Sequence, residues 1–232
     1  MIKPTITLED LQDTDKATRI INQSFEQVLD LVKESRQWPV IYIHGDITTR
    51  KSKGRQQQQD HAYIQRSSIH GADQVTYDQL RSLLYLNHSV NETKYVKQLT
   101  DAILLQHVHD EADLFWLGFK TPALSANREF VELVATRETA HRSFMVTSQP
   151  VAYDKQVSKQ GYVRGAYEAW ELVSEIENSQ GDKVVEWICI QRSSAGGLIP
   201  RFMSDWVAAK DFHHDVEGII KYIQNNEEEG NQ

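Results

Sequence analysis

Apolar residues recur at helical spacing near both ends of the chain and at strand-like spacing through most of the middle. Ile20, Ile21, Phe25, Val28, Leu29 and Val32 hold one face of a helix capped by Thr14 or Asp15 and running to about Gln37. Trp38-Pro39 ends it, because the residue before a proline is pushed out of the helical region. Near the other end, Ile199, Phe202, Met203 and Trp206 fall at i, i+3, i+4 and i+7, and Phe212, Val216, Ile219, Ile220 and Ile223 continue in similar register. This predicts a long helix beginning near Leu198, with Pro200 in its first turn, where the missing N–H costs nothing. Burying one Phe, Ile or Met is worth roughly 1.5–3 kcal/mol, so that face must lie on something. The Ser193-Ser194-Ala195-Gly196-Gly197 turn lets the chain fold back onto the strand before it.

Between the two helices, Val40–His44, 61–69, 112–121, 127–137, 142–148, 162–176 and 183–192 are strand candidates rich in Val, Ile, Phe, Tyr and Trp. Tyr77–Leu86 and Val90–Leu105 are expected as helices, broken at Asn87-His88-Ser89. Alternation in the strands leaves both faces apolar. Val185, Trp187, Cys189 and Gln191 share one side of their strand, while Val184, Ile188 and Ile190 share the other with Glu186 and Arg192. Phe144, Val146 and Ser148 oppose Met145 and Thr147, and Gly165, Tyr167 and Ala169 oppose Ala166, Trp170 and Leu172. A sheet wet on one side would alternate more cleanly. The pattern therefore predicts an α+β fold: a curved antiparallel sheet covered by helices and bent around the last one, with Gly161 and Gly165 easing the bend.

Composition narrows the possibilities. The 232 residues are 40% hydrophobic and 25% charged, which suits one large domain or two small ones, and nothing in the middle reads as a linker. A net charge of −8 argues against a nucleic-acid groove, which needs clustered Lys and Arg. Short apolar runs and a polar N-terminus place the chain as soluble and cytoplasmic. Cys189 is the single cysteine, so neither an internal disulfide nor a thiolate cluster is expected. Arg50, Lys51, Lys53 and Arg55 sit in a polar loop, either a solvated hairpin or a basic patch facing an anionic membrane.

Four strings, in order, carry a resemblance: Asn127-Arg128-Glu129-Phe130-Val131, Ser143-Phe144-Met145-Val146-Thr147-Ser148, Gly161-Tyr162-Val163-Arg164-Gly165, and Gly196-Gly197-Leu198-Ile199-Pro200-Arg201-Phe202. Over about 37–222 they resemble the START lipid-transfer family, most nearly a START-like group of fungi. The resemblance implies a helix-grip fold whose concave face, roofed by the C-terminal helix, encloses one hydrophobic ligand such as a sterol, phospholipid or sphingolipid. It implies that Phe144, Val146, Ser148, Tyr167, Ala169, Trp187, Cys189 and Gln191 point into the cavity, with Phe202, Met203 and Trp206 on its roof. It also implies exchange at membranes by movement of the 154–160 loop and the last helix. Sterol binders of the family carry a buried arginine where this chain has Val134, so recognition through that arginine is not expected. The domain is expected over 16–226, after a lead-in at 1–15 and before a disordered acidic tail at 227–232.

Other candidate chemistry is thinner. Glu132 and Glu171 share the cavity-facing parity, but an unpaired buried carboxylate is costly, so each is expected at a sheet end or beside a partner. Tyr167 and Trp187 could cage a choline head group or simply fill the core. His107 and His109 lack a third metal ligand and read as a polar turn; His213-His214 reads as one interfacial and one solvated residue. Cys189 sits between Ile188 and Ile190, a setting for a small hydrophobe rather than a nucleophile. The leading reading is a non-enzymatic carrier with no catalytic residues, cofactor or metal, whose partners are a lipid and, transiently, a membrane surface. The alternative is a cyclase or hydrolase of a hydrophobic substrate on the same scaffold.

Overall fold

The computed structural model describes residues 2–53, 62–121, 126–154, 159–194 and 212–230. Strand β1 (Ile6–Thr7) and helix α1 (Leu8–Gln12) lead into α2 (Thr14–Ser35), whose first turn is capped by Asp13 accepting the Lys16 N–H. Then follow β2 (Val40–His44), β3 (Ile47–Lys51) and β4 (Ile64–Gly71). A helical hairpin comes next: α3 (Tyr77–Leu80), which widens into a π-turn over Arg81–Tyr85, and α4 (His88–Tyr95). Asn87, in the left-handed region at φ 51°, makes the predicted break between them. The remaining strands are β5 (Leu99–His109), β6 (Ala112–Phe119), β7 (Asn127–Ala140), β8 (Ser143–Ala152), β9 (Tyr162–Arg164), β10 (Ala166–Glu177) and β11 (Lys183–Ser194), followed by helix α5 (His214–Gly230).

Strand order is β2-β3-β4-β11-β10-β8-β7-β6-β5, antiparallel throughout this path, with β1 added to β8 and β9 to β7 in parallel. The sheet is curved and covered on both faces, as the double-sided alternation predicts. On the convex face, Ile21, Phe25, Val28 and Val32 of α2 pack with Leu114, Trp116, Leu133, Met145, Trp170, Ile188 and Ile190. On the concave face, Leu80 and Leu84 of the hairpin and Val216, Ile219 and Ile223 of α5 pack with Leu117, Val134, Phe144, Val146, Val173, Val185 and Trp187. The arrangement is a helix-grip: one curved antiparallel sheet closed around the C-terminal helix.

Several local expectations change. The predicted helix 90–105 stops at Tyr95, and Leu99–Leu105 belongs to β5. That edge strand shifts register against β6 at three places, so its apolar residues do not alternate and imitate helical spacing. The turn expected at His107–His109 is the end of this strand. The strand predicted over 162–176 divides at Gly165, where an added Cβ would come within 2.4 Å of the Phe130 ring. Leu11, within the lead-in, is buried against α2's face of the sheet. The backbone of α5 continues through Gly230, so residues 227–230 are helical rather than a disordered tail; glutamate is a good helix former. Arg50 and Lys51 of the basic loop lie in β3, and Arg55 is outside the described residues.

Two of the motif strings meet in space. Glu129 of β7, 1% exposed, accepts the Trp116 indole N–H at 3.0 Å and two N–H bonds from Arg164 of β9 at 2.9 and 3.0 Å. This charge-assisted knot fastens β6, β7 and β9 from the convex side. Lys159 reaches Asp101 at 2.9 Å and lies 5.1 Å over the Trp116 ring, so one described end of the 154–160 loop is anchored to β5 and β6.

Candidate ligand-binding face

Antiparallel register places the concave side chains in rows across the sheet. One row runs Ile47, Ser68, Trp187, Val173, Phe144. The next runs Thr49, Arg66, Cys189, Glu171, Val146, and a third Lys51, Ile64, Gln191, Ala169, Ser148, Val134. Beyond these, Tyr167, Glu132 and Phe115 share the same face. The eight strand residues implied by the family resemblance therefore occupy one side of three adjacent strands. Phe144, Val146 and Trp187 belong to the apolar cluster beneath α5, and Tyr167 packs against it, edge-on to Phe130 at 5.2 Å. Cys189 packs with Ile64 and Phe212, and burial pushes its thiol well above its ordinary pKa, so it carries no thiolate character. Phe202, Met203 and Trp206 lie outside the described residues.

The face also carries charge that the sequence did not reveal. Arg66 is 2% exposed, its guanidinium 3.8 Å over the Trp187 ring and 5.2 Å from Phe212. Its Nη2 lies 4.0 Å from Glu171 Oε2, which accepts the Trp187 indole N–H at 2.7 Å. Glu171 has thus found partners, as a buried carboxylate must. The Arg66 Nε and Nη1 donors face no acceptor among the described residues. A strand arginine amid polar Gln65, Ser67 and Ser68 gives no local hint of burial; only the register with Cys189 and Trp187 shows it.

Glu132 departs from expectation. It is fully buried in mid-strand, between β6 and β8, rather than at a sheet end. Neither oxygen makes a well-formed hydrogen bond among the described residues, although the Tyr167 backbone is close enough to favour the charged form. Burial dominates and pushes the carboxyl well above the usual carboxylate range, which favours its neutral form. Burial likewise raises the Tyr167 and Tyr95 phenols. On α4, burial pushes Glu92 up to about 7, opposed by His88, whose Nε2 is 3.5 Å from the carboxyl.

On the opposite side, an open groove of about 630 Å³ runs beside α2, lined among others by Arg19, Gln23, Gln27, Asp30, Glu168 and Arg192. Its walls suit water rather than a hydrocarbon. Where α5 begins, His44 of β2 meets His213 and Glu217, and the rings of His213 and His214 lie 4.0 Å apart. Sequence reasoning treated these histidines separately because nothing local joins β2 to the last helix. His107 and His109 acquire other partners: the former bonds Asp113 at 2.7 Å, and the latter's Nδ1 accepts the Glu111 N–H at 3.2 Å.

Comparison with solved structures agrees with the fold. Human STARD10 superposes with a TM-score of 0.75 at 12% identity, covering 89% of this chain and 80% of that one. The human StAR-related lipid transfer protein 5 gives 0.73 at 13% identity, over 90% of this chain and 99% of its own. A StAR-related lipid transfer protein fragment from Xanthomonas axonopodis gives 0.63 at 13%, over 81% and 98%. At these identities the likeness concerns the fold alone: the chain shares the helix-grip fold of these proteins. By sequence, residues 63–223 match the model of a family described as a protein of unknown function, DUF3074, and the chain belongs to that family. An uncharacterized protein of the fission yeast Schizosaccharomyces pombe, C577.11, is 28% identical over 160 residues, spanning 68% of this chain and 66% of its own length. Among the described residues no helix is long and apolar enough to cross a membrane.

Proposed function

We propose that this protein is a cytoplasmic carrier that holds one hydrophobic ligand, a phospholipid, sphingolipid or sterol, between the concave face and its C-terminal helix. The observation that carries this reading is the face itself. It is an apolar floor of Phe144, Val146, Val173, Val185 and Trp187, interrupted by a buried arginine with two donors free of acceptors among the described residues. Such a surface suits a guest with a long apolar body, each buried CH₂ contributing about 0.8 kcal/mol, and one oxygen-bearing end. Lipid transfer appears in the names of proteins sharing the fold. That the sequence relative is a fungal protein supports the fungal part of this grouping.

In this reading the domain spans 16–226 and the ligand contacts are Phe144, Val146, Ser148, Tyr167, Ala169, Trp187, Cys189 and Gln191, roofed by Phe202, Met203 and Trp206. Exchange occurs at a membrane when the last helix and the 154–160 loop move apart. Strand β2, beside the start of α5, exposes Val40, Ile41 and Ile43, which offers the membrane an apolar edge. Native mass spectrometry of protein purified from cells and from lipid mixtures tests the reading. A single lipid should co-purify and be lost in Arg66→Met or Val146→Trp variants. Protein that stays empty in every mixture would refute it. One observation favours a second reading: Glu132, whose buried position pushes its carboxyl well above the usual range, suits a general acid for a cyclase or hydrolase. Turnover of the bound compound, abolished in Glu132→Gln, would establish that alternative.

A further inference from the structure

We propose that His44, His213 and Glu217 form a site for a divalent transition metal of the zinc class, which clamps the start of α5 to strand β2. One ligand atom from each of the three lies within 4.8 Å of the others, and His44 Nε2 is already 2.9 Å from Glu217 Oε1. Donors around a tetrahedral zinc, each about 2.0–2.2 Å from the ion, stand roughly 3.3 Å apart, so closing the set needs shifts of about an ångström. Two imidazoles and a carboxylate are a ligand set zinc accepts, with water completing the fourth position.

The arrangement is held from several directions. His213 and Glu217 are four residues apart at the head of α5 and so project from the same side of that turn. His44 comes from the far end of the sheet's edge strand, its ring 4.3 Å from that of His213. Tyr42 stacks on His44 at 6.3 Å and lies 5.8 Å from His213, fixing both rings. The second Glu217 oxygen bonds His214 Nδ1 at 3.1 Å, the outer-shell support that orients a metal-binding carboxylate. His213 is buried while His44 and Glu217 are exposed, so an ion can enter from solvent. The ion would bridge His44 and Glu217 in place of their direct contact, tying the end of β2 to the head of α5.

Titrating the metal-stripped full chain with zinc chloride by calorimetry, and following thermal unfolding, tests this. The expected result is one site per chain and a Tm rise of several degrees at a hundredfold excess over Kd. His44→Asn and Glu217→Gln, both on exposed side chains, should each weaken binding at least tenfold and remove most of the Tm rise. His107→Asn, at the remaining candidate pair, should leave both unchanged. No saturable binding, or binding unaltered in the His44 and Glu217 variants, would overturn the proposal, as would loss of binding in His107→Asn alone. None of these readouts depends on a lipid, so the site stands or falls apart from the carrier reading.

Discussion

Gly218 sits where α5 crosses the end of α4, and replacing it with alanine separates two effects of opposite sign. In an isolated helix the change should stabilise by about 1 kcal/mol, because alanine loses less backbone freedom than glycine. Here a Cβ at position 218 would lie 2.6 Å from the Tyr95 carbonyl oxygen and 3.5 Å from its carbon. The obstacle is backbone, so no side-chain rotation relieves it. Reaching an ordinary contact of 3.4 Å needs about 0.8 Å of separation between the helices. The residues flanking the crossing, Val216 and Ile219, are both fully buried, and Tyr222 lies 6.4 Å from the Tyr95 ring. Overpacking of this kind costs typically 1–3 kcal/mol, so the net effect is a destabilisation of up to about 2 kcal/mol. For a chain of this size that lowers Tm by up to about 8 °C. Differential scanning calorimetry of Gly218→Ala beside Lys221→Ala, an exposed site on the same helix, isolates the clash. The lysine variant should stay within about 0.5 kcal/mol of wild type. A higher Tm for Gly218→Ala would show that propensity outweighs packing and that α5 is not held against α4 at this point.

Other consequences follow from partly and fully buried charges. Glu92 is an acid whose folded pKa, about 7, lies above its unfolded value, so its protonated form favours folding. Stability from this group is fully present below about pH 4.3 and is lost as pH rises through 7; Glu92→Gln should therefore be more stable than wild type at pH 8 and equal at pH 4, by urea titration. Equal stability at both pH values would show that the carboxyl is solvated. Arg66→Met alone should cost about 3–5 kcal/mol by leaving Glu171 without its cation, whereas Arg66→Met with Glu171→Leu should recover most of the loss. A double variant no better than the single one would mean that the Trp187 contacts of Arg66, rather than its charge, hold the site.

The chain's periodicity by itself determined α2, the described part of the last helix (its predicted start near Leu198 lies outside the described residues), the strands other than β1, β3 and β5, and the two-sided burial of the sheet. These depend on repeats of 3.6 and 2 that a residue shares with its near neighbours, and the packed faces of α2 and β11 follow them residue by residue. Local reading failed at β5 because three register shifts scramble the alternation of an edge strand. What only the tertiary structure decided is which distant residues stand together. Arg66 beside Glu171, the Glu129 knot between two motif strings, and His44 against His213 and Glu217 all arise from strand order and from where α5 crosses the sheet. No sequence spacing encodes those contacts. Burial then set the chemistry, favouring the neutral form of Glu132 where desolvation outweighs its neighbours and leaving Glu129 able to bind Arg164 where two N–H donors reach it.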